Sequence, residues 1–143
     1  MRETLLLLHV AAGTAGLLLG PLWLVARLRG RAGTGAAAAY QAAVAGVAAT
    51  GAALALLTPG LAWLVGFGAL SVVLAATGAL ARRRGWPHWR TLQPHLLGGS
   101  YVALTTGLLV AQTQHPLAWV LPALVGQVPI ALAKRRLVAA VPA

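Results

Sequence analysis

Residues 94–114 read PHLLGGSYVALTTGLLVAQTQ, from Pro94 to Gln114, a stretch long enough to cross a bilayer that nevertheless carries His95, Ser100, Tyr101, Thr105, Thr106 and Gln112. No other apolar run in the chain holds as many polar atoms. A hydroxyl, amide or imidazole in hydrocarbon costs free energy unless a neighbour satisfies it, so this helix is expected to face protein and to stand at the centre of a helical bundle.

Four further apolar runs surround it. Of the 143 residues, 59% are apolar and 8% charged, far from the quarter or so of charged residues in an ordinary soluble domain. With the charges gathered in short clusters, too few polar side chains remain to coat a soluble surface, and the sequence reads as an all-α integral membrane helical bundle in a single transmembrane domain. The expected helices are 5–28, 36–57, 61–81, 92–111 and 117–133, each about 17 to 24 residues against roughly 30 Å of hydrocarbon. The last is the shortest and contains Pro122 and Pro129, which remove backbone donors and favour a kinked or partly re-entrant segment. The opening MRETLLLLHVAAGTAG has the look of a signal peptide, but its apolar stretch continues to Leu28 without a cleavage pattern and is expected to be a retained helix.

The net charge of +10 would suggest nucleic acid in a soluble chain. Here the basic residues close apolar runs, as membrane insertion requires, and no nucleic-acid partner is expected. Arg27, Arg29 and Arg31 follow the first run, Arg82–Arg84 and Arg90 the third, and Lys134–Arg136 the fifth, whereas the turns at Thr58–Gly60 and Gln112–Pro116 carry no formal charge. Because cytoplasmic loops keep Lys and Arg, this alternation predicts five transmembrane helices with the N-terminus outside and the C-terminus inside. Four of the five tryptophans fall near the ends of runs and are expected in an interfacial aromatic belt, with Trp86 and Trp89 in a short amphipathic linker.

Small residues recur at helical spacing: His9, Gly13, Gly16 and Gly20 on the first helix, Ala42, Gly46 and Thr50 on the second, Gly68, Ser71, Ala75 and Gly78 on the third. These stripes are expected to be helix contacts, since close approach and a few hydrogen bonds hold bundles together in lipid.

Much chemistry is excluded. Glu3 is the only acidic residue and there are no cysteines, so carboxylate pairs, Ser-His-Asp triads, carboxylate metal cages and thiolate sites all lack a component. Four histidines remain, His9 and His115 near the outer face, His88 and His95 near the inner. Two imidazoles on one haem iron need nitrogens about 4 Å apart, which His9 and His95, nearly a bilayer apart, cannot supply. His9 with His115 is the pair that admits a haem. His95 begins a face continued by Gly99, Val102 and Thr106, where a pocket for a lipid headgroup, quinone or small amphiphile would open to the inner leaflet; the plainer reading is a hydrogen bond from His95 to Tyr40 or Gln41. The candidate binding residues are thus His9, His95, Tyr101 and Thr106.

HLLGGSYVALTTGLLV, with HPLAWVLPALVGQVPIALAKRR after it and HVAAGTAGLLLGP at the start, resembles a group of small bacterial polytopic membrane proteins of unknown function. Their pattern of a His, a Ser-Tyr pair and Leu-Pro-x-x-x-Gly-x-Pro is met by His95, Ser100, Tyr101, Leu121, Pro122 and Gly126, with Pro129 one position later than the pattern has it. The first basic loop, RLRGRAGTGAAAAY, lacks the His-Arg-x-x-Gly of that group. The resemblance implies a bacterial cytoplasmic (inner) membrane protein, and it bears on topology more than on function, since the group has no established activity to carry over.

Three functions follow as expectations. The first is a non-enzymatic subunit or interaction module packed in the bilayer against another membrane protein or a copy of itself. The second binds haem, a quinone or another amphiphile through His9 or His95. The third is a small-molecule carrier or channel, disfavoured because no charged line crosses the bilayer.

Overall fold

The computed structural model describes residues 1–31 and 33–139. It contains five helices: α1 (Arg2–Leu28), α2 (Thr34–Leu56), α3 (Leu64–Arg83), α4 (Trp89–Thr113) and α5 (Leu117–Ala139). Each is long and apolar enough to span a membrane, so the chain is a multi-pass membrane protein. Only 6% to 28% of the residues in each span are buried within the chain, the share being largest in α4. The remaining surface is left to lipid, and α4 takes the central place that its polar side chains require.

The turns explain the helix limits. Gly30, Gly33, Gly60 and Gly85 all adopt positive φ, the conformation glycine enters at least cost. At the end of α2, Thr58 donates to the Leu54 carbonyl at 2.8 Å, and Pro59 has no N–H with which to continue the helix. Leu61–Trp63, expected to be helical, form a turn instead, and α3 starts at Leu64. Pro94, Pro122 and Pro129 all lie within helices, and α5 continues through Lys134–Arg136 as one helix rather than as a re-entrant segment. In a bundle, neighbouring groups can take up the carbonyls that proline leaves free.

Consecutive helices run antiparallel. Gly46 faces Ala12 between α1 and α2, Gly68 faces Ala48 between α2 and α3, Gly107 faces Phe67 between α3 and α4, and Gly98 faces Ile130 between α4 and α5. α1 also reaches α4, where Gly16 meets Leu104. This threading collects the arginine-bearing turns and Lys134–Arg136 at one end of the bundle, the basic end, with Glu3 at the other. The small-residue stripes are therefore helix contacts, as their spacing predicted.

The core lies nearer the basic end, where Trp23, Ala37, Tyr40, Val44, Ala75 and Leu97 form one cluster. Trp23 is 3% exposed, a core residue rather than part of an aromatic belt. Trp63 and Trp119 do behave as belt residues: both are exposed and stack with ring centroids 5.5 Å apart at the opposite end. Trp89 opens α4 instead of belonging to a separate linker.

Candidate functional site

The polar atoms of α4 reach two neighbouring helices, α2 and α1. Ser100 and Tyr40 of α2 share a fully buried hydrogen bond of 3.1 Å between hydroxyls. Thr105 donates back to the carbonyls of Tyr101 and Val102, satisfying itself within the helix. Tyr101 crosses to α1, its hydroxyl donating to the Leu17 carbonyl at 3.2 Å.

That last contact has a cause in the sequence of α1. Pro21 has no N–H, so the carbonyl four residues back, that of Leu17, loses its helical partner. Tyr101 supplies the missing donor. The neighbouring Gly20 gives the ring its place: a Cβ there would lie 2.5 Å from Tyr101 Cδ2. Gly20, Pro21 and Tyr101 thus form one joint between α1 and α4. The pairing was not foreseen, although the signal was present as a Gly-Pro pair in mid-helix, which announces a free carbonyl beside a gap.

Beside this joint lies a groove of about 480 Å3. One wall is α1 at Gly20, Pro21, Trp23 and Leu24; the floor is α4 from Pro94 to Leu109; the other wall is α5 from Leu121 to Ile130. Along α4 it extends about 22 Å, most of the thickness of a hydrocarbon core. Its size falls in the range of about 300–1,000 Å3 typical of ligand sites. Almost every lining side chain is apolar, the hydroxyls being those of Tyr40, Tyr101 and Thr105, each already bonded as described. Gly98 and Gly126 allow α5 to approach α4 closely, with Ile130 and Val102 filling the space beside them. Pro122 and Gly126 of the Leu-Pro-x-x-x-Gly segment, and Pro129 after it, all border the groove.

His95 lies elsewhere. It is exposed, and its Nδ1–H donates to the Thr91 carbonyl of its own helix at 2.9 Å. The expected bond to Tyr40 or Gln41 is absent, because Tyr40 goes to Ser100 and the Gln41 amide donates to the Ala75 carbonyl at 3.3 Å. His95 instead lines a second cavity, a cleft of about 550 Å3 at the basic end between α4 and α5, together with Gln127, Lys134 and Arg135. Ile130 borders both cavities.

His9 borders neither. Its Nδ1 lies 3.2 Å from the Val47 carbonyl and 3.1 Å from Thr50 Oγ1, while the Thr50 hydroxyl is itself directed at the Gly46 carbonyl at 2.6 Å. Since a carbonyl can only accept, Nδ1 carries the proton and is shared between the two oxygens. Gly51 makes room for the ring: a Cβ there would lie 2.9 Å from His9 Cε1. His115 is exposed, its Nδ1 accepting from the Leu117 amide at 3.2 Å. Thr106 is buried on α4, away from the groove. Among the described residues, no group of three or more His, Cys, Asp or Glu stands close enough to hold a metal ion. Of the four candidates, the structure places Tyr101 at the groove and His95 at the adjoining cleft, with His9 and Thr106 in neither.

A further cationic cluster sits under the α1–α2 turn. The guanidinium carbons of Arg27 and Arg90 lie 5.7 and 5.9 Å from the Trp89 ring centroid, and Arg27 Nε is buried without a hydrogen-bond partner. Cation–π contact offsets part of the cost of holding these charges at the edge of the apolar layer.

Compared with known proteins, the chain matches no family model, no curated protein and no solved structure.

Proposed function

We propose that this protein binds an amphiphile of the cytoplasmic leaflet, taking its apolar chain into the groove between α1 and α5. The observation that carries this reading is the groove itself: about 480 Å3 of apolar-lined space running along α4, with the hydroxyls on its wall already paired. A chain in such a space needs no polar partner, and the groove offers none to spare. Haem is less well served, because His9 is engaged by α2 and the groove contains no histidine. The basic turns, gathered at one end, support an orientation with the N-terminus outside and the C-terminus inside. With the resemblance of the α4 and α5 sequences to small bacterial membrane proteins, this supports residence in a bacterial cytoplasmic membrane.

Association with another membrane protein, or with a second copy, is the competing proposal, and the same groove would then hold a helix. The small-residue stripes no longer argue for it: Gly13, Gly16, Gly20, Gly46, Gly68 and Gly78 all face groups of their own chain.

Photolabelling separates the two readings. The full chain is reconstituted with a phospholipid carrying a diazirine along one acyl chain, irradiated and mapped by peptide mass spectrometry. Enrichment of label on the half-buried groove residues Leu24, Tyr101 and Val102 over the lipid-exposed Leu7 and Val10 is expected. Uniform labelling of all apolar faces, or groove residues left unlabelled while the outward faces are labelled, would overturn the amphiphile reading.

A further inference from the structure

At the basic end α4 and α5 part beyond the contact of Gly98 with Ile130, and the space between them is the cleft that holds His95, Gln127, Lys134 and Arg135. Gln127 and Lys134 are seven residues apart and share a face of α5, where Arg135 joins them; His95 approaches from α4. Insertion of a membrane protein explains why cations lie at this end. It does not explain why groups from two helices surround one cavity. Among the described residues no acidic side chain lies at this end: Glu3, the only Asp or Glu in the sequence, stands in the first turn of α1, at the opposite end. The His95 ring is oriented by its Nδ1–H bond to Thr91, so that in the imidazolium form Nε2–H is the donor left to meet an anionic ligand. Arg135 can give a phosphate two parallel donors, Lys134 a point charge and Gln127 an amide donor. Ile130 forms a wall common to this cleft and to the apolar groove, so a molecule with its chain in one has its polar end beside the other.

We infer that the occupant of the groove is an anionic phospholipid whose phosphate headgroup is held in the cleft by His95, Lys134 and Arg135. This rests on the amphiphile reading given above and adds the chemical class of the ligand. Basic pockets between transmembrane helices on the cytoplasmic side suit anionic headgroups, and each Lys or Arg near the surface adds about fivefold in affinity.

The test uses the full chain in bilayers containing spin-labelled phosphatidylglycerol or phosphatidylcholine with identical acyl chains, read as the motionally restricted fraction in electron spin resonance. The wild-type protein should prefer phosphatidylglycerol severalfold. Lys134→Gln with Arg135→Gln should remove most of that preference, bringing the ratio close to one, while Lys134→Arg with Arg135→Lys should keep it. Arg83→Gln with Arg84→Gln, which removes the same charge from the same end outside the cleft, should also keep it. Equal losses in the two neutralising pairs, or no preference in the wild type, would overturn the assignment. Photolabelling with diazirine forms of both lipids distinguishes its failure from that of the groove: equal groove labelling by the two lipids leaves the chain site standing and removes the headgroup site. A phosphatidylglycerol preference that depends on Lys134 and Arg135 without groove labelling would instead refute the claim that one lipid occupies both.

Discussion

Towards α3, α4 leaves little space: Leu97 lies against Gly78, Leu74 against Gly99 and Phe67 against Gly107. Towards α1 and α5 the same helix uses the same kinds of residue and borders a groove of about 480 Å3. Glycine alone does not decide which side closes. On the α3 side a large side chain answers each small one in register, so ridges fill gaps. On the other side Tyr101 is drawn across to α1 by the Leu17 carbonyl, and α5 rests on α4 through Gly98 and Gly126, leaving the space between α1 and α5 unfilled. Close contact in lipid depends on complementary shape rather than on hydrophobic drive, so an unmatched stretch stays open.

Substitutions on the two sides should therefore differ in cost. The largest effect is expected for Gly78→Leu on the closed side. A Cβ at this position would lie 3.3 Å from Leu96 Cβ and closer still to Leu97, and the Leu96 Cβ, tied to its backbone, cannot swing away. Overpacking of this kind costs about 3 kcal/mol. Unfolding titrations in mixed detergent micelles would read it, and a loss under about 1 kcal/mol would mean that the α3–α4 seam is looser than described.

A smaller effect is expected at the joint between the two sides. Tyr101→Phe orphans the Leu17 carbonyl and should cost about 1–2 kcal/mol by the same titration. In a Pro21→Ala background an alanine N–H can serve that carbonyl, so Tyr101→Phe should then cost at least about half as much less, because its hydroxyl is no longer the carbonyl's only donor. Equal costs in both backgrounds would show that Tyr101 is held by packing alone.

The smallest effect belongs to the open side. Leu121 borders the groove and is 52% exposed, so Leu121→Ala removes little packing within the chain and should change stability by less than about 0.5 kcal/mol. The same substitution should weaken acyl-chain labelling in the groove. A large loss of stability without a change in labelling would place Leu121 in a closed interface and remove one wall of the site.

The architecture was legible in sequence because its causes are local. Apolar runs of membrane length, Thr58-Pro59-Gly60 and the arginine clusters each act within a few residues, and they delivered five helices with limits displaced by a few positions. The stripes on α1, α2 and α3 were legible for the same reason, since 3.6-residue periodicity alone sets which residues share a face. The site was less so. Tyr101 and His95 could be named from their polarity on an apolar helix, but their partners lie 84 residues away in one case and on the same helix in the other. Nothing in the local pattern separates those outcomes. The partners of His9 on α2 were not legible, because Thr50 sits on a stripe read as small residues rather than as an acceptor. The cleft at Lys134 and Arg135 was missed for a different reason: the last helix was expected to stop at Ala133, and only its continuation to Ala139 carries these cations along α4.

The central claim is that α1, α4 and α5 enclose room for a lipid chain. Electron cryomicroscopy of the protein in discs of bacterial lipid, with a rigid fiducial bound at the α2–α3 turn, would test it most directly. The account predicts elongated non-protein density between α1 and α5, lying over Gly98 and Tyr101 and ending beside Lys134. A groove closed by direct contact of α1 with α5, or filled by a helix of a second chain, would contradict it.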